Sequence, residues 1–116
     1  MAGTRWVKID VSYLENPKVI GLHPQAVLLH LASILWTAEQ LTDGHIPAKA
    51  LQALGQRAGI APSWQRRMAG ALVEHYLWLP VEDGWHVHDF AEMNPQATRK
   101  KVLAQRKLWR QQKGYE

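Results

Sequence analysis

The chain has no cysteine, which excludes disulfides, thiolate-bound zinc and a cysteine nucleophile at once. Long apolar runs are missing too. The longest apolar stretch, within residues 24–41, is interrupted by His30 and Ser33, and Met1 to Asp10 contains no apolar h-region. The sequence therefore predicts neither a signal peptide nor a membrane span, and a cytoplasmic location follows. There is no glycine-rich phosphate loop, nucleophile elbow, zincin motif or calcium loop. The carboxylates Glu39, Glu74 and Glu92 are scattered, without the pairing that acid/base chemistry needs. His86 and His88 would share one strand face, but the adjacent Asp89 points to the other side, so a third metal ligand is missing. The expectation is a protein that is not an enzyme and needs no metal or cofactor.

What is present suits one globular domain. At 116 residues, 47% of them hydrophobic and six of them Trp, the chain can build a single core but not two. Its net charge of +4 is unevenly placed. Residues 1–94 carry seven Lys/Arg against nine Asp/Glu, whereas residues 95–116 carry seven Lys/Arg against one Glu. The division is thus a domain over 1–94 and a basic helical arm over 95–116, of the kind that serves an anionic partner.

From Trp6 to Val11 apolar residues alternate, predicting a half-buried strand that pairs with a hairpin at 77–89. Asn16-Pro17 starts a short turn ending at Gly21. Pro24 opens the central core helix, and Gly44 suits the left-handed residue that closes it. The stripe Val27, Leu31, Ile34, Ala38, Leu41 and a second one, Leu28, Ala32, Leu35, predict packing on more than one side. His30 is expected to be a core or boundary histidine with a hydrogen-bond partner. A short strand at Thr42–Pro47 precedes a helix over Ala48–Leu54, which Gly55 stops; Gln56–Pro62 then forms the turn. In the next helix, 63–76, Trp64, Met68, Ala71, Leu72 and His75 fall on the inner side, and Ser63, Arg66, Arg67, Gly70 and Glu74 on the outer. Asp83-Gly84 joins two apolar runs as a hairpin, with acidic residues at its tip.

Helix, strand, helix, helix, strand, strand is the element order of a winged helix-turn-helix. The fold class expected is mainly α (α+β), with the basic helix appended. The basic start of helix 63–76 is the end that a recognition helix presents to base edges, and the arginine fork matches guanine O6 and N7. The nucleic-acid-binding residues expected are Ser63, Gln65, Arg66 and Arg67 on that helix, and Arg99, Lys100, Arg106, Lys107, Arg110 and Lys113 on the arm. Phosphate contacts of this kind supply most of the affinity.

Several stretches also resemble a known group: Trp6-Val7-Lys8-Ile9-Asp10-Val11, Asn16-Pro17-Lys18-Val19, residues 41–47, residues 71–78, and Gly84-Trp85-His86-Val87-His88-Asp89-Phe90 followed by Asn94-Pro95. Over roughly residues 6–112 the chain is similar to small winged-helix proteins of actinobacterial phages and prophages, which resemble the N-terminal domain of phage replisome organisers. The resemblance implies binding to double-stranded DNA in replication initiation or gene regulation inside a bacterial host. The alternative is a protein-interaction adaptor that offers a host or phage replication protein its acidic wing and exposed Trp residues. Two surfaces, the 95–113 helix and the Trp6 strand, could pair two copies of the chain as a homodimer.

Overall fold

A computed structural model describes residues 6–88 and 90. Within them three helices, α1 (Pro24–Gln40), α2 (Leu51–Arg57) and α3 (Pro62–Glu74), pack with three short strands, β1 (His45–Pro47), β2 (Trp78–Val81) and β3 (Gly84–Val87), as a compact α+β domain. Proline stands at the start of both α1 and α3, where its missing N–H costs no helical hydrogen bond.

The buried face of α1 is Ala26, Leu29, His30, Ser33, Ile34, Thr37 and Ala38. The expected leucine stripes are mostly outside it, since Leu28 and Leu35 are 50% and 55% exposed. Small and polar residues hold the inner face because their hydroxyls find partners there. Ser33 Oγ donates to the His30 carbonyl (2.6 Å), Thr37 Oγ1 donates to the Ser33 carbonyl (2.9 Å), and Trp78 Nε1–H donates to Ser33 Oγ (3.1 Å). That geometry lets the indole of Trp78 be fully buried against the helix. The end of α1 also differs from expectation. The cap is Leu41 (φ 56°), three residues before Gly44, which is also left-handed (φ 93°), and the N–H groups of Leu41 and Thr42 both reach the Thr37 carbonyl.

The sheet is antiparallel in the order β1-β3-β2, with Ile46 opposite Trp85 and Trp78 opposite Val87. The hairpin's partner is therefore β1, and the expected strand at Trp6–Val11 does not form. Both sides of β3 are occupied, and Ile9 and Val11 of that stretch are exposed. Its alternation carries no ladder. The Asn16 turn is present: Asn16 Oδ1 accepts from Lys18 N–H (2.9 Å), and its carbonyl accepts from Val19 and Ile20. Gly84 has a role that the Asp-Gly signal did not predict. A Cβ there would lie 2.0 Å from the Ile46 carbonyl oxygen, so the residue lets β1 approach β3.

Candidate nucleic-acid interface

Between α2 and α3 the chain turns in four residues, Ala58 to Ala61, with Gly59 left-handed (φ 73°). A 3-10 turn over Ala48–Ala50 leads into α2, which runs through Gly55 to Arg57 instead of stopping at the glycine. Gly55 is needed for contact. A Cβ there would meet Gln65 Cδ at 2.4 Å. Gln65 lies across that bare backbone and donates through Nε2 to the Ile60 carbonyl (3.1 Å), while Ile60 N–H donates to the Gly55 carbonyl (2.8 Å). These contacts fix the angle at which α3 leaves the turn.

Gln65 is thus buried, at 5% exposure, and is removed from the expected set of DNA-contacting residues. Its side chain is consumed by the turn. The inner face of α3 is Gln65, Met68, Ala69 and Leu72, rotated from the expected one. Trp64, expected inside, is 40% exposed. Polar and cationic partners hold its ring at the surface: the Arg67 guanidinium carbon lies 4.7 Å from the ring centroid and the His23 ring is tilted at 6.0 Å. Arg67, three residues on and so on the same helical face, could have signalled this placement, because stacking of a guanidinium on an indole is a gain that a hydrophobicity pattern does not count.

Ser63, Arg66 and Arg67 are exposed on the first two turns of α3, as expected. Among the described residues neither arginine makes an ion pair, in contrast to Arg57, which pairs with Glu39. Glu74, the acidic residue of α3, lies about 12 Å further along the axis from Arg66, too far to neutralise it. The N-cap of α3, Ala61, offers no side-chain oxygen to the first amides. That end therefore presents unpaired helix-dipole charge beside two guanidinium groups. Gly70, expected on the outer side of the helix, is exposed, with open space where its Cβ would be.

The hairpin tip is drawn back toward β1. Asp83 accepts from Ala48 N–H through its carbonyl (2.8 Å), and its carboxylate lies 3.3 Å from His45 Nε2; Glu82 is exposed. His86 packs over Gly44, whose Cβ would be 3.3 Å from the imidazole, and His88 Nδ1 lies 3.4 Å from Lys18 Nζ. No cluster of three His, Cys, Asp or Glu able to hold a metal occurs among the described residues. No described helix is long and apolar enough to cross a membrane.

His30 meets its expectation. It is 6% exposed and shares a 2.6 Å hydrogen bond between Nδ1 and the Tyr13 hydroxyl, with the two rings stacked at 5.7 Å. Burial pushes its pKa down to about 4 and pushes that of Tyr13 up to about 12, because both charged forms would lose solvation. The expected arm residues Arg99, Lys100, Arg106, Lys107, Arg110 and Lys113 lie outside the described residues. Compared with known proteins, the chain matches no family model, no curated protein and no solved structure.

Proposed function

We propose that the domain is a winged helix-turn-helix that binds double-stranded DNA through the N-terminal half of α3, in phage or prophage replication initiation or gene regulation. The observation that carries this reading is the pair Arg66 and Arg67, exposed and outside any ion pair among the described residues, on the helix that follows a four-residue turn. The pairing of β1 with the hairpin supports the winged topology, since it completes a three-stranded sheet after the two helices. In this assignment Ser63, Arg66 and Arg67 meet the groove, and Trp64 holds the Arg67 fork in place. The arm over 95–113 neutralises phosphates. Glu82 and Asp83 are both exposed carboxylates at the hairpin tip, so the hairpin adds little attraction to phosphate and α3 supplies the docking.

The adaptor reading needs an acidic wing and exposed Trp residues; Trp6 and Trp64 are 55% and 40% exposed, but neither lies on the hairpin. Trp78 is fully buried and Trp85 packs on it at 5.2 Å, half-buried, so the hairpin offers no exposed indole to a protein partner. Fluorescence anisotropy of the full chain with a random duplex at several salt concentrations tests the DNA reading. Each cation lost from the phosphate contacts lowers the log-log salt slope by about 0.9. Arg66→Ala with Arg67→Ala should weaken binding at low salt, and should flatten the slope by about 0.9 for each of the two guanidinium groups that also displaces a counterion. Affinity and slope unchanged by the double substitution would overturn the assignment of α3.

A further inference from the structure

A cleft of about 340 Å³ opens beside α1, on a part of the domain that contains no residue of α2 or α3. Its floor is apolar, formed by Ile34, Leu77, Val87 and Phe90. Its rim is polar. The Tyr13–His30 pair closes one side at 2.6 Å, and Lys18 Nζ, 3.4 Å from His88 Nδ1, stands on the rim as well. The volume is near the lower bound of the roughly 300–1,000 Å³ typical of small-molecule sites, and an apolar floor with a few convergent polar groups is the pattern such sites show.

The charge of the rim selects the sign of a ligand. Among the described residues, Lys8, Lys18 and Asp10 are the charged ones that line the cleft, a net of one positive charge with His30 neutral. The Asp10 carboxylate is turned to its own loop, where Oδ1 accepts from Ser12 N–H (2.8 Å) and Ser12 Oγ (2.5 Å). The ammonium of Lys18 has three protons, of which one is directed to His88 Nδ1. A single negative charge matches the net charge of this rim.

We propose that the cleft binds a small amphipathic carboxylate, a single aromatic ring or a short acyl chain, whose apolar body rests on Ile34, Leu77, Val87 and Phe90 and whose carboxylate meets Lys18. The ligand would lie against the Lys8–Ser12 segment, which has no regular secondary structure and forms the outer wall. This site is independent of the DNA-binding reading, because its walls share nothing with the face that carries Arg66 and Arg67.

Titration calorimetry of the full chain with benzoate, and in parallel with benzyl alcohol and benzylamine, tests the proposal. Benzoate should bind saturably with a Kd on the order of 1 mM or tighter, ahead of both neutral and cationic analogues. In ¹⁵N-resolved spectra the shifts should centre on Ile34, Val87 and His88. Lys18→Met keeps the stem and removes the charge, so it should weaken benzoate by roughly tenfold and leave benzyl alcohol unchanged. The Arg66→Ala, Arg67→Ala protein should bind benzoate as the wild type does, which separates failure of this site from failure of the DNA reading. Benzylamine binding as well as benzoate, shifts confined to α3 or the 95–113 segment, or no saturable binding by the wild type would each overturn it.

Discussion

Acidification should destabilise this domain through His30, and the size of that contribution follows from its burial. The imidazole is held neutral in the folded state with a pKa of about 4, against an ordinary value of 6.5. The unfolded chain therefore binds a proton that the folded chain refuses throughout the interval between these values. The stability contributed by keeping His30 neutral is fully present above pH 6.5, is lost progressively as pH falls through that value, and stops falling once pH drops below about 4. The full difference is about 3 kcal/mol, at 1.36 kcal/mol per pKa unit, and about 2 kcal/mol of it should disappear between pH 7 and pH 5. For a domain whose total stability is of order 5–15 kcal/mol, that loss is easily measured. Urea unfolding followed by Trp fluorescence at pH 7 and pH 5, on the wild type and on His30→Gln, isolates the term. Glutamine stays neutral and can still bond to the Tyr13 hydroxyl, so the other titrating groups cancel in the comparison. The variant should lose about 2 kcal/mol less than the wild type over this range. Equal losses in the two proteins, or a His30 ring that titrates near 6.5 by NMR, would refute the reasoning.

Two backbone contacts give further tests. Gly84→Ala places a Cβ 2.0 Å from the Ile46 carbonyl oxygen and should cost on the order of 3 kcal/mol, lowering Tm by about 10 °C or more; a change of less than about 2 °C would show that β1 does not lie where the sheet requires it. Gly55→Ala drives a methyl group into the buried Gln65 side chain and should cost about 2 kcal/mol in urea unfolding. Combined with Gln65→Ala, its cost should fall below the sum of the single substitutions by about 1 kcal/mol or more, and strict additivity would separate the two residues.

The sequence by itself determined the elements that local chemistry controls. Pro24 opens α1 because proline fits a helix start, Asn16 forms its turn through its own side chain, and Asp83-Gly84 lies at the hairpin. His30 was legible as a buried partner-bound histidine, since a lone imidazole on a core helix must find a hydrogen bond. The order of α2, turn and α3, and the exposure of Ser63, Arg66 and Arg67, followed from helical periodicity.

Tertiary structure decided what depends on contacts between distant residues. Alternation at Trp6–Val11 looked like a strand, but alternation alone names no partner; β1 paired with the hairpin instead, and a three-residue strand such as His45–Pro47 is too short for any period to mark. The side of α3 that faces inward was settled by Gln65 fitting over Gly55 and by Trp64 meeting Arg67 and His23. A helical wheel ranks Trp above Gln for burial. A bare patch of backbone reverses that order, because it leaves room for an amide whose donor reaches the Ile60 carbonyl, and only the assembled fold creates the patch.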